Sequence, residues 1–310
     1  MKIKTVDLVY VVGTGSRWKD NELRLSLRSV TKNLSDIGII FIVGHCPAFL
    51  RNVIYIPASD IYDPAINADG NMTHKILLAC DDKRLSDNFL FMNDDFIINQ
   101  PVSAPSIEWM HKQDMASQPP EYWKTQFYRH RLKRTFDVLR ERKMPTLQYD
   151  YHAPMLMNKN LFREVMANFD YASGIGYTFR SIYGNALKLP AISIKGRKIT
   201  VFTYLQLAEI KSKSAGIQFV GYNDQGMNNS LKWWLIENFP NKCKYETNLP
   251  EDRIFEVFFW MKRGMQYQEG VQIFKKYYKH QNLVKMFESM ESEKLQSKLR
   301  YKLMQIINEL

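Results

Sequence analysis

Val6 to Val12 is an apolar run rich in β-branched residues, and it ends abruptly in Gly13-Thr14-Gly15-Ser16. A run of that length and composition reads as a strand covered on both faces, as in a parallel sheet whose strand opens onto a ligand-binding loop. Parallel neighbours need long crossovers, so helices must alternate with strands. Asp20 stands where a helix over 20–33 would be capped, with Leu23, Leu27, Val30 and Leu34 along one stripe. Residues 39–43 and 52–56 read as two further short strands, followed by a loop through Asp60, Asp63-Pro64 and Asp69-Gly70. A helix over 72–80 then leads to a fourth strand, Asn88 to Met92. This order predicts an α/β fold, a doubly wound and mostly parallel Rossmann-like sheet with added helices.

Beyond Pro101 the pattern turns helical with interruptions, so a basic helical insertion is expected over about 103–145. Within it, Tyr128, Leu132, Phe136 and Leu139 form one apolar stripe and leave most of the cations on other faces. From 251 onward, residues such as Ile254, Val257, Phe258, Leu299 and Leu303 recur at helical spacing. The expected organisation is an α/β domain over 1–250 and a helical cap over 251–310. Cys46, Cys80 and Cys243 make no metal spacing and are odd in number, so a disulfide framework is disfavoured and a reducing cytoplasm is expected, host cytoplasm if the chain is phage-encoded. The opening apolar run is too short for a signal peptide, and no segment reaches the ~18 apolar residues of a membrane span.

The sharpest chemical feature follows the fourth strand. Asn93-Asp94-Asp95 places two adjacent carboxylates just past its carboxyl end, where open α/β sheets bind their ligands. A divalent ion bridging a diphosphate needs hard oxygens and takes only one or two protein carboxylates. Two anions flanked by Phe96-Ile97-Ile98 would repel each other without a cation, so Asp94 and Asp95 are expected to hold Mn2+ or Mg2+; a solvated acidic turn is the alternative. Gly13, Thr14 and Gly15 permit close approach of a phosphate or a uracil. In Gly221-Tyr222-Asn223-Asp224-Gln225-Gly226, Asp224 is either a general base for an acceptor hydroxyl or a helix N-cap, and Asp150 is the rival base.

Several of these segments resemble one family. The stretch from Asp20 to Val30, DNELRLSLRSV, is similar to the ELRxSLRS block of the stealth-type sugar-phosphate transferases, which include capsule enzymes and the lysosomal-enzyme GlcNAc-phosphotransferase. The likeness continues in Phe41-Ile42-Val43-Gly44 with Cys46-Pro47-Ala48-Phe49-Leu50, in the run from Leu85 to Phe96, in Tyr151-His152-Ala153-Pro154-Met155 and in Phe179-Arg180-Ser181. The first block departs from the family, having Val12-Gly13-Thr14-Gly15-Ser16 where the family carries an acidic residue after a Trp-Val pair. The resemblance is that of a remote relative. It implies a GT-A-like nucleotide-sugar domain, with Asn93, Asp94 and Asp95 at metal and diphosphate, Arg24, Arg28 and Arg180 as phosphate or substrate ligands, and His152 in the active site. Arg24 and Arg28, four apart on a helix, can equally be solvated, and His152 can be a packed turn histidine.

Charge bears on the acceptor. The chain has 43 Lys+Arg against 32 Asp+Glu, a formal charge of +11. Lys124, Arg129, Arg131, Arg134 and Arg140 cluster beside Trp123, Phe127 and Tyr128, a pattern suited to a polyanion or to a merely solvated helix face. The expected activity is transfer from a nucleotide sugar, a UDP-sugar, to an acceptor hydroxyl, with DNA carrying hydroxymethylated bases favoured as in phage DNA modification. The rivals are sugar-1-phosphate transfer to a capsular or surface glycan, and a non-enzymatic polyanion-binding protein whose donor pocket is filled by side chains.

Overall fold

The computed structural model describes residues 5–124 and 127–247; the cap expected over 251–310 lies outside them. The first half alternates as expected through β1 (Val6–Val12), α1 (Asn21–Asn33), β2 (Ile37–Gly44), β3 (Ile54–Pro57), α2 (Pro64–Asp81) and β4 (Asn88–Met92). β5 (Phe96–Ile98) leaves this sheet at once. Next come α3 (Phe127–Glu141), β6 (Met155–Asn158), α4 (Lys159–Ala167), α5 (Phe179–Ala186), β7 (Lys198–Val201), α6 (Leu207–Ser214), β8 (Phe219–Tyr222) and α7 (Asn229–Asn238). The main sheet has the order β3-β2-β1-β4-β6, parallel except for β6, which pairs antiparallel with β4. A smaller sheet, β7-β8-β5, stands beside it. Among the described residues no helix is long and apolar enough to cross a membrane.

Strand order reverses between β1 and β4: the chain first winds outward to β3, then α2 returns it to the other side of β1. Right-handed crossovers therefore put α1 and α2 on opposite faces of the main sheet. Every residue of β1 is buried, which explains its apolar character apart from Asp7. Its one charge is satisfied: Asp7 accepts from Ile39 N (2.7 Å), Ser86 N (2.8 Å) and Ser86 Oγ (2.6 Å), tying the strand to both neighbours. Phe89, Leu90, Phe91 and Met92 of β4 are fully buried. At ~1.5–3 kcal/mol for each large apolar side chain, they anchor the strand firmly enough for carboxylates to be held at its end.

Local chemistry moves two boundaries. α2 begins at Pro64, eight residues earlier than periodicity indicates, because Asp63 caps it through Ala65 N (2.9 Å) and Pro64 takes the first turn. The non-helical Asn67 inside it (φ −129°, ψ 59°) hides the periodic pattern. At α1, Asp20 occupies the cap position in left-handed geometry without a side-chain cap bond, and its carboxylate meets His45 Nε2 at 3.3 Å instead. α1 is also less solvated than its sequence implies. It lies under β5, with Ser26 Oγ donating to Phe96 O (2.6 Å), Ser29 Oγ accepting from Ile98 N (3.0 Å) and Asn33 Nδ2 donating to Ile98 O (2.7 Å).

Candidate active site

At the reversal point, between the carboxyl ends of β1 and β4, the surface opens into a cavity of about 210 Å³. Gly13, Gly15 and Ser16 from the loop after β1 line it, with Asp94 and Asp95 from the turn after β4, Glu22 from α1, and Tyr222, Asn223 and Asp224 from the end of β8. Open α/β sheets bind ligands at this position because two neighbouring loops diverge there. The pocket is not filled by side chains, as the degenerate binding-protein reading would require.

The acidic groups of the cavity are poorly neutralised. Burial, reinforced by Asp95, Glu22 and Asp20, pushes the Asp94 carboxyl well above the usual carboxylate range. Burial also raises Glu22, against the opposing pull of its bond from Ser16 Oγ (2.7 Å). Asp95 Oδ2 is paired with His152 Nδ1 at 3.0 Å, while Asp95 Oδ1 and Asn93 Oδ1 are buried with no hydrogen-bond partner. The Tyr222 hydroxyl is likewise buried and unpartnered, and burial next to Glu22, Asp95 and Asp94 holds it protonated far above the ordinary tyrosine range. Orphaned hard oxygens on Asp95 and Tyr222, which both line the cavity, fit a divalent cation. Among the described residues no three His, Cys, Asp or Glu groups form a complete ligand set. A cation here would take one or two carboxylates and complete its shell from a diphosphate and water.

The expected site residues separate into two groups. Gly13, Gly15, Asp94, Asp95 and Asp224 line the cavity, and His152 joins it through Asp95. Asp224 is not the cap of α7, since Asn228 caps it through Ser230 N and Leu231 N (2.8 and 3.2 Å); Asp224 instead meets Arg17 Nε at 3.2 Å, both being exposed. The other group is built into the body. Arg24 and Arg28 are buried and clamp Glu246, with Arg24 Nη1 at 2.9 Å and Arg28 Nε and Nη2 at 2.8 Å, so a carboxylate of this chain stands where a phosphate was expected. Arg180 lies among the rings of Phe91, Phe96 and Tyr151, donates to Tyr151 O, and sits 3.8 Å from Asp150. Asp150 is buried, accepts from Ser181 Oγ and does not line this cavity.

The basic segment is likewise turned inward. Arg131 is buried, with Nη1 on Asp69 (2.5 Å), Nε on Ile175 O (2.8 Å) and Nη2 on Ile66 O (2.8 Å). Arg134 donates to Ser173 O and covers the Tyr177 ring, and Arg129 donates to Tyr122 O (3.0 Å) and covers that ring. Only Lys124 and Arg140 of the five expected acceptor cations are exposed. The apolar stripe is where periodicity puts it, but Arg129, Arg131 and Arg134 beside it bind the body.

Sequence reasoning missed Glu22 and Tyr222. An acidic residue in the first turn of the helix after the Gly13–Ser16 loop was a usable signal, since a carboxylate is favoured there. Nothing in the sequence marks Tyr222, which enters only because β8 runs beside β5.

No protein-family model matches the chain, and no curated protein matches it. Among the solved structures to which the chain is similar are several glycosyltransferases. The galactosyltransferase LgtC with donor and acceptor sugar analogues is 11% identical, with a TM-score of 0.46 over 80% of this chain and 99% of that one. The bifunctional glycosyltransferase WbbM is 10% identical, TM-score 0.42, over 77% and 50%. Mouse xyloside xylosyltransferase 1 is 9% identical, TM-score 0.39, over 72% and 100%. Similarity at this level assigns no residue a role.

Proposed function

We propose that the chain is a GT-A-like glycosyltransferase that uses a nucleotide sugar, a UDP-sugar, with Mn2+ or Mg2+. The observation that carries this reading is the Asp94-Asp95 pair at the sheet's reversal point, Asp94 raised by burial and Asp95 with a buried oxygen left without a partner, lining the same cavity as the Gly13–Ser16 loop. Asp95, through its free Oδ1, and Asp94 would hold the cation, which when bound neutralises charge developing on a leaving diphosphate. The loop after β1 has no side chain at Gly13 or Gly15 to keep donor phosphates away. In the transfer, the acceptor oxygen bonds to the anomeric carbon as the bond to the diphosphate breaks, and the hydroxyl proton passes to a base. The candidates for that base are Asp224 on the cavity wall and His152, whose Nδ1 donating to Asp95 leaves Nε2 as the proton acceptor.

DNA with hydroxymethylated bases is the acceptor suggested by the basic segment, and a glycan, reached by sugar or by stealth-type sugar-phosphate transfer, is its rival. The internal pairing of Arg131 and Arg134 favours the glycan. Calorimetric titration with UDP tests the donor site: binding is expected with Mn2+ and sharply weaker without it. Asp95→Asn is expected to lose metal-dependent binding, and turnover by about a thousandfold or more, while melting normally. Equal UDP binding with and without metal, or full activity of that variant in EDTA, overturns the reading.

A further inference from the structure

β7 and β8 run in register with Lys198 opposite Phe219 and Thr200 opposite Gly221, and Phe96 of β5 lies opposite Gly221 on its other side. Directly paired residues share a face of the sheet, and alternate residues along a strand return to it. Lys198, Thr200 and Phe202 therefore belong to the face that carries Gly221 and Phe96. His152 packs on that face. A Cβ at Gly221 would come within 2.6 Å of His152 Cβ, and the His152 ring meets Phe96 and Phe202 edge-on, at 6.1 and 5.7 Å between centroids. Phe202 is 43% exposed and the His152 side chain 30%, so the Phe202 ring forms an open ledge beside the histidine that pairs with Asp95.

Two cations adjoin the ledge. Lys198 Nζ donates to Thr200 Oγ1, on the same face. Lys112 is brought to this end of β7 by backbone bonds from Ile194 N to His111 O (3.1 Å) and from Arg197 N to Ile194 O (3.1 Å). Arg180 has Asp150 at 3.8 Å and His152 has Asp95, but among the described residues neither Lys112 nor Lys198 has a carboxylate at ion-pair distance. Burial, together with Lys112, pushes the Lys198 ammonium down to about 6 against the pull of Asp95; burial pushes that of Lys112 down to about 8 against the pull of Asp150. Two half-buried ammonium groups that repel each other are stabilised by an anion between them.

We propose that this face is the acceptor subsite and takes a sugar ring carrying an oxyanion, phosphoryl or carboxylate, with the ring's apolar face on Phe202 and the oxyanion between Lys112 and Lys198. A hydroxyl of that ring then reaches His152. Calling the ligand an acceptor rests on the transferase reading; the anionic-sugar site does not. A duplex would need a track of cations along its backbone, and this face offers a compact pair.

The test titrates the protein, without nucleotide or metal, with inorganic phosphate, glucose and glucose 6-phosphate, and titrates UDP with Mn2+ in parallel. Glucose 6-phosphate should bind more tightly than phosphate, and glucose least. Lys112→Met and Lys198→Met should each weaken both phosphate ligands roughly tenfold or more, Lys198→Arg should retain most of the affinity, and Phe202→Ala should reduce glucose 6-phosphate to the level of phosphate. UDP binding should stay unchanged throughout. The proposal is overturned if both Met variants, melting as the wild type does, bind phosphate as well as it does; if UDP displaces glucose 6-phosphate, which would place the anion in the donor cavity; or if a duplex oligonucleotide binds more tightly through Lys198. Absence of UDP binding alongside the expected sugar-phosphate pattern would sink the transferase reading and leave this site standing.

Discussion

The cavity at the end of β4 gathers carboxylates and the helix α3 gathers cations, and their charges have opposite fates. In the cavity, Asp94 and Glu22 are raised by burial and Asp95 keeps an oxygen with no partner. On α3, Arg131, Arg134 and Arg129 all have partners within the chain. A charge left buried and uncompensated by the fold costs stability and persists where a ligand completes it. A charge that the fold itself completes is architecture. Counting cations along α3 therefore overstates what the helix can offer to a polyanion.

The contrast can be tested at Arg131 and Arg140. Arg131→Ala leaves Asp69 buried, and burial already pushes that carboxyl up to about 6 in spite of the guanidinium. Breaking such a pair costs about 3–5 kcal/mol. The melting temperature should fall by about ten degrees, and by less near pH 5 than at pH 8, because Asp69 can then escape its charge by protonation. Arg140→Glu, on an exposed residue, should shift melting by less than a degree or two. Equal effects of the two substitutions would erase the distinction between inward and outward cations.

A second break falls on the cavity's support. At Gly221 an added Cβ would lie 2.5 Å from His152 O, so β8 can pass this close to His152 only with glycine in place. Gly221→Ala should displace His152 from Asp95 and lower kcat by roughly ten- to a hundredfold, with a smaller loss of UDP affinity because both carboxylates remain. A loss confined to UDP affinity would show that His152 does not serve the transfer step.

Most of the main sheet was legible. β1 and β4 match the apolar runs residue for residue, because strands buried on both faces leave an unbroken hydrophobic record. The carboxylate turn was legible for the same reason, since it interrupts such a run. The smaller sheet was not: β5 is three residues long and begins immediately after Asp95, and β8 lies in a run whose glycines and polar residues read as a turn. Nor could one sequence reveal that Arg24 and Arg28 meet Glu246 more than two hundred residues away. Local periodicity records burial, and it does not record which distant group satisfies a buried charge.

A further expected effect concerns Lys198, whose charge burial disfavours, with Lys112 and Arg180 repelling it and Asp95 attracting it. In the folded protein this ammonium is held only below about 6, whereas an unfolded lysine keeps its proton to about 10.4. Between those values the unfolded chain carries the extra proton, so native stability rises with pH across the window; below about 6 the buried charge exerts its full cost. Lys198→Met removes the titrating group and keeps an unbranched stem. Its melting temperature should exceed that of the wild type near pH 5.5, at about 2–4 °C for each kcal/mol gained, and the gap should close toward pH 10. Inorganic phosphate near pH 5.5 should raise the wild type and leave the variant unmoved, since only a ligand of the native state shifts melting. A gap that stays constant with pH would mean that Lys198 has its counter-charge within the protein, and this face would then belong with α3 and not with the cavity.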